Sequence, residues 1–263
     1  MAFRYEKLIV PVITPRKDGQ VDIHGLTRLL EFLIAGGIDS LFILGTTGEF
    51  QYLTIDEKMQ VLTSSAKAIS HRVPLLVGIS SPTPEETIDL AEAAASHQAQ
   101  ATVLAPMYGW GVPEAQVETI LRKSSLPLLL YNNPAIHRNR MIRLDLIEKY
   151  ARYSGITGIK DSSGDCDYFK RLLELRSEKF TVLQGKESQI LQSLLQGADG
   201  IVPGSANVDP EPFVQIVGNR NEENLARIIR LKEELRRLSA GSIHAIKITL
   251  AQQGIIGSEE MFG

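Results

Sequence analysis

Lys160 closes an apolar segment, Ile156-Thr157-Gly158-Ile159-Lys160, just ahead of a turn-forming stretch, Asp161-Ser162-Ser163-Gly164-Asp165. A lysine at the end of a buried β-type run carries its amine to where the chain leaves the interior. Partial desolvation there disfavours an ammonium, and a neutral amine attacks carbonyl carbon to give a Schiff base. The plain alternative is a lysine whose stem snorkels past the strand end to solvent. Other candidate groups sit in similar places. Gly45-Thr46-Thr47-Gly48-Glu49 is either a strand-to-helix turn or an anion cradle, in which glycines admit a carboxylate to backbone N–H groups and threonine hydroxyls add donors. Tyr131, in Tyr131-Asn132-Asn133-Pro134-Ala135, is either a rim tyrosine or a phenol that relays protons. Tyr108 and Trp110, in Pro106-Met107-Tyr108-Gly109-Trp110-Gly111, suit a loop or an interface. Gly185-Lys186-Glu187-Ser188 and Pro203-Gly204-Ser205-Ala206-Asn207 are either tight turns or phosphate-type loops.

Other chemistries lack their residues. Cys166 is the single cysteine, so neither an internal disulfide nor a cysteine zinc cluster is available. The five histidines, His24, His71, His97, His137 and His244, are scattered without metal-ligand spacing, and no Ser–His–Asp arrangement stands out. We expect no metal and no cofactor. A formal net charge of -3 gives no electrostatic reason to bind nucleic acid or an anionic membrane. Met1 to Lys7 lacks the apolar core of a signal peptide, and no apolar run is long enough to span a bilayer. The expectation is a cytoplasmic protein acting on a small molecule.

Eight apolar runs, each followed by a helical pattern, must position these residues. The runs lie at 8–13, 41–44, 75–78, 102–105, 128–131, 156–160, 181–183 and 200–202. The helices are expected around 22–36, 54–69, 84–96, 113–124, 143–152, 165–176, 187–196 and 210–218. The runs are continuously apolar rather than alternating, as for strands covered on both faces. Eight such units close a (β/α)₈ barrel, whose chemistry sits on loops at the C-terminal ends of the strands. Every candidate above lies on such a loop or at the strand end that leads into it. An open doubly wound sheet is the competing fold, but no Gly-x-Gly-x-x-Gly follows the first run. Two more helices are expected within 222–253, so the barrel is assigned to 1–219 and a C-terminal helical extension to 220–263.

Three of these motifs resemble the signatures of one family. Gly45-Thr46-Thr47-Gly48-Glu49, Tyr131-Asn132-Asn133-Pro134-Ala135 and Gly158-Ile159-Lys160-Asp161-Ser162-Ser163-Gly164 look like those of the dihydrodipicolinate synthase / N-acetylneuraminate lyase family of pyruvate-dependent class I aldolases. The resemblance runs from Val12-Ile13-Thr14-Pro15 to Gly197-Ala198-Asp199-Gly200. It implies that Lys160 is the Schiff-base lysine, Tyr131 the proton relay and Thr46 its hydrogen-bonded partner. It places Thr47, with Gly45, at the pyruvate carboxylate, and the Val202 backbone facing the pyruvate pocket. Tyr108 falls where synthases carry a tyrosine that reaches into a neighbouring subunit, so a homo-oligomer, dimer or tetramer, is implied.

Two departures bear on the substrate. Synthases that condense aspartate semialdehyde usually carry an arginine five residues after the strand-5 tyrosine, where this chain has Ile136; His137 and Arg138 follow, and Arg138 is the nearest candidate for the missing charge. Sialic-acid lyases carry a Gly-x-Asp-Glu pattern in the strand-7 loop, where this chain reads Gly185-Lys186-Glu187-Ser188. The expected activity is therefore condensation of pyruvate with an aldehyde, or cleavage of a 2-oxo acid to pyruvate. Dihydrodipicolinate synthase itself is one alternative, and a catalytically silent paralogue that binds a 2-oxo acid is another. An isomerase that uses Glu49 as its base is a third, and it leaves Lys160 unexplained.

Overall fold

The computed structural model describes residues 5–106 and 108–263; Met1 to Arg4 and Met107, the last from the Pro106 to Gly111 stretch read above, lie outside the described residues. The expected alternation is present. In chain order the elements are β1 Lys7–Pro11, β2 Arg16–Lys17, β3 Gln20–Val21, α1 Ile23–Ala35, β4 Ser40–Ile43, α2 Ile55–Ile69, β5 Leu75–Gly78, α3 Pro84–Ser96, β6 Ala101–Leu104 and α4 Pro113–Lys123. They continue with β7 Leu128–Asn132, α5 Leu144–Tyr150, β8 Ile156–Asp161, α6 Cys166–Leu173, β9 Thr181–Gln184, α7 Ile190–Leu195, β10 Gly200–Ile201, α8 Glu211–Gly218, α9 Glu222–Leu238 and α10 Ser242–Gln252. The strands follow one another in the closed order β1-β10-β9-β8-β7-β6-β5-β4. The chain is a (β/α)₈ barrel with C-terminal helices.

Local chemistry sets the boundaries. Thr54 and Glu57 form a reciprocal capping box at the start of α2. Thr83 caps α3, and Pro84, which has no N–H to satisfy, opens it. Asp165 caps α6 by accepting from the N–H groups of Asp167 and Tyr168. The short β2–β3 hairpin was not among the expected elements. It turns at Asp18-Gly19, both at positive φ, as a two-residue hairpin turn demands. Two-residue strands carry too little pattern to be read as an alternation.

Two compact units make up the chain, Met1–Lys7 with Leu76–Val202, and Leu8–Leu75 with Pro203–Gly263. In the first, β5 to β10 form a run of parallel ladders. The β7–β8 ladder pairs Tyr131 with Lys160 and Asn132 with Asp161. Its register slips once. Leu128 pairs Ile156 and Leu129 pairs Gly158, so Thr157 is the extra residue of a bulge that re-aims the strand beyond it. In the second unit, β1 pairs with β4, and the buried Asn207 ties the end of β1 to the loop after β10. Its amide donates to the carbonyls of Pro11 and Gly204, both at 2.8 Å, and accepts from the N–H of Ile13.

Candidate active site

The β7–β8 register decides which side chains share a face. Neighbouring parallel strands in register point equivalent residues the same way, so Tyr131 and Lys160 come together. The Lys160 Nζ lies 4.1 Å from the centroid of the Tyr131 ring. Both residues are at most 5% exposed. A lysine that ran past its strand end to water would not show such burial, so the snorkelling alternative is excluded. The amine thus lies against the face of the Tyr131 ring, with the phenol beside it. Asn133 donates its side-chain N–H to the Tyr131 hydroxyl at 2.8 Å. Its carbonyl oxygen takes the N–H of Ala135, which opens the turn Pro134–Ile136. The motif alone gives Asn133 no role. Strand alternation places it two residues on, on the same side as Tyr131, and that spacing was the available signal.

Close backbone packing forces Lys160 into this position. A Cβ on Gly158 would fall 2.3 Å from the carbonyl oxygen of Thr181 on β9. A Cβ on Gly185 would meet the Ser162 hydroxyl at 2.1 Å and the Lys160 Cε at 2.8 Å. Gly185 is thus the wall against which the lysine stem lies, and its N–H donates to the Asp161 carbonyl at 2.7 Å. This close approach, rather than a phosphate, accounts for the glycine after β9.

Behind the pair, on the opposite face, Asn132 and Asp161 form a buried cross-strand clamp. The Asn132 amide donates to Asp161 Oδ1 at 2.6 Å and accepts the N–H of Ile142. Ser163 donates its hydroxyl to Asp161 Oδ2 at 2.8 Å. Burial pushes the Asp161 carboxyl up to about 6, against the opposing hydrogen bonds from Asn132 and Ser163. Tyr168, on α6, closes the network by donating to the Ile142 carbonyl at 2.7 Å.

The other candidates in this unit are less gathered. Ile136 is half-buried, and Arg138 is exposed on left-handed backbone. His137 is buried with neither ring nitrogen hydrogen-bonded, and burial together with the nearby Arg140 charge brings it down to about 4. It is therefore a neutral imidazole at ordinary pH. Val202 is buried just past β10, and its N–H donates to the Gln184 carbonyl. Tyr108 is half-buried, while Trp110 turns its indole N–H back to Thr87 on α3.

In the second unit, Thr46-Thr47-Gly48 forms a turn of 3-10 helix after β4, with both threonines half-buried. The Gly48 and Glu49 N–H groups are used inside the turn, on the carbonyls of Gly45 and Thr46. Gly45 packs on the Phe42 ring. Glu49 is buried in an ion pair with Lys247, which excludes it as the base of an isomerase. Among the described residues no group of three or more His, Cys, Asp or Glu side chains could hold a metal ion.

Comparison with known proteins identifies the family. Residues 4–259 match the model of the dihydrodipicolinate synthetase family. The probable 2-dehydro-3-deoxy-D-pentonate aldolase YjhH of Escherichia coli (strain K12) is 30% identical over 245 residues, covering 90% of this chain and 81% of the relative. A dihydrodipicolinate synthase structure from Bacteroides thetaiotaomicron superposes with a TM-score of 0.86 at 33% identity, covering 97% and 91% of the two chains. The structure of YagE from E. coli K12, a prophage protein of the same family in complex with pyruvate, superposes with a TM-score of 0.87 at 27% identity, covering 98% and 91%. The fold and site define a class I aldolase-type barrel, and the chain belongs to the dihydrodipicolinate synthetase family.

Burial holds the Asp161 carboxyl above its ordinary range in the folded chain. Its folded value of about 6 lies above the ordinary unfolded value of about 4. Between those limits the folded chain keeps a proton that the unfolded chain has lost. Stability therefore falls as pH rises through this window, and the penalty is complete above about pH 6. Asp161→Asn does not titrate. In urea unfolding from pH 4.5 to pH 7, the variant should gain on the parent chain by about 1–3 kcal/mol. A constant gap, or a gap of opposite slope, would contradict a raised Asp161.

Proposed function

We propose that this protein is a Schiff-base-forming class I aldolase that joins pyruvate to an aldehyde or cleaves a 2-oxo acid to release pyruvate. The observation that carries the reading is the buried Lys160 amine, 4.1 Å above the ring of a tyrosine whose hydroxyl is fixed by Asn133. The Lys160 amine attacks the ketone carbon of pyruvate, water leaves, and a protonated imine remains. The imine withdraws electrons from the methyl carbon, which loses a proton to give an enamine. That carbon attacks the aldehyde, the new alkoxide takes a proton, and hydrolysis of the imine frees the product and the lysine. Cleavage runs the same steps backwards. Tyr131 is the natural carrier of these protons. From the family motif we assign Thr46 as its partner, Thr47 with Gly45 as the carboxylate site, and Val202 as a backbone wall for pyruvate.

The loop after β7 favours an uncharged aldehyde. Its arginines, Arg138 and Arg140, are exposed, Ile136 carries no charge, and His137 is held neutral by burial. None of them is a buried cation fit to grip a second carboxylate. A neutral hydroxy-aldehyde, as released from a 2-keto-3-deoxy sugar acid, suits this lining better than aspartate semialdehyde does. We also infer a homo-oligomer, dimer or tetramer, in which Tyr108 contributes to a neighbouring subunit. The 61% exposed Val112 in the same loop supports that role. No described helix is long and apolar enough to cross a membrane, and we place the enzyme in the cytoplasm.

Two experiments test this reading. Tyr131→Phe should lose about a hundred- to ten-thousand-fold in kcat, the worth of a positioned proton carrier, while still forming the pyruvate imine. Unchanged turnover would make Tyr131 a rim residue. In parallel assays with pyruvate, glyceraldehyde should exceed aspartate semialdehyde in kcat/KM by about ten- to a hundred-fold. That range is the worth of one missing arginine–carboxylate contact. Preference for the semialdehyde by a decade would instead make the enzyme a dihydrodipicolinate synthase with a different carboxylate site, and Arg138→Ala would then be the next variant to assay.

A further inference from the structure

The second unit holds a buried ion pair that the proposed chemistry does not use. Glu49 follows the Thr46–Gly48 turn directly, on left-handed backbone with φ 55°. Such a conformation strains a residue with a Cβ, so something must hold it. One carboxylate oxygen accepts the Phe262 N–H at 3.0 Å, and the other pairs with the Lys247 ammonium. Lys247 lies on α10 with its side chain fully buried, and it also donates to the Glu260 carbonyl at 2.8 Å. Burial pushes the Lys247 ammonium down, and the Glu49 carboxylate opposes that shift.

The tail that carries Glu260 and Phe262 is itself tied down. The Glu260 carboxylate accepts the N–H groups of Asp18 and Gly19 at the tip of the β2–β3 hairpin. Arg16 donates to the Met261 carbonyl at 2.9 Å. The Phe262 ring covers Arg16 and Lys247, each 4.9 Å from its centroid. On the other side of the turn, the Thr14 hydroxyl donates to the Gly48 carbonyl at 2.8 Å.

A buried ion pair is a poor device for stability alone. Well-packed apolar residues often replace such pairs at no loss, whereas removing one partner alone is strongly destabilising. What the pair supplies is direction. Two charge-assisted contacts fix the Glu49 carboxylate, hence its backbone, hence the turn before it. We propose that Glu49 and Lys247, clasped by Glu260 and Phe262, are positioning residues that hold the Thr46-Thr47 turn in the geometry that receives the pyruvate carboxylate. This inference rests on the functional reading above.

The test uses the full chain with both charges removed together, Glu49→Leu with Lys247→Met. Its urea midpoint should stay near that of the parent. The pyruvate concentration that half-saturates borohydride trapping should rise at least about ten-fold, a shift of about 1.4 kcal/mol, while trapping at saturating pyruvate slows less than about three-fold. Amide hydrogen exchange across residues 44–53 should quicken, an effect that needs no substrate. Phe262→Ala keeps the charges and removes only a half-buried cover, so it tests the same point if the double variant fails to fold; its half-saturating concentration should rise about two- to five-fold. Parent-like half-saturation in a folded double variant overturns the proposal. If the double variant does not fold, parent-like half-saturation in Phe262→Ala overturns it. A parent chain that never traps pyruvate overturns the functional reading and this inference with it. A parent that traps, beside variants that match it, overturns this inference alone.

Discussion

The contact between the Lys160 amine and the face of the Tyr131 ring constrains much of what surrounds it. A lysine kept within a barrel strand must be aimed, because its four-carbon stem has many rotamers and would otherwise seek water. Here the aim comes from backbone geometry. The Thr157 bulge resets the β7–β8 register, Gly158 lets β8 close on β9, and Gly185 leaves a slot the width of a methylene for the stem. Residues that read as loop punctuation are therefore fixed by the position of one amine.

The two faces of β7 and β8 divide the work. One carries Tyr131 and Lys160; the other carries Asn132 and Asp161, hydrogen-bonded across the strands at 2.6 Å. A carboxylate buried there is costly, and the raised Asp161 value records that cost. In return, a short polar contact fixes the relative height of two strand ends more sharply than apolar packing does, because a hydrogen bond weakens steeply with distance and angle. The second unit uses the same device with full charges, in Glu49 and Lys247.

Much of the fold was legible because continuously apolar runs and capped helices are local signals. Strand and helix positions fall within a few residues of those expected, and Lys160 and Tyr131 could be named from motif and strand end together. Long-range polar pairing was not legible. Lys247 lies in Ser242-Ile243-His244-Ala245-Ile246-Lys247, where a lysine among helical residues looks like a solvated one. Its partner Glu49 stands 198 positions earlier, and no local rule joins them. Asn133 is the opposite case, since its face was readable by alternation. The burial of His137 beside the exposed Arg138 could not be read either, because it depends on the left-handed turn at Arg138-Asn139.

Trapping decides the central claim most directly. The protein, incubated with pyruvate and sodium borohydride, should gain one reduced three-carbon adduct, and peptide mass spectrometry should place it on Lys160. Lys160→Ala should gain none. An adduct on another lysine, an adduct that persists in Lys160→Ala, or no adduct at all would contradict Schiff-base chemistry at this residue.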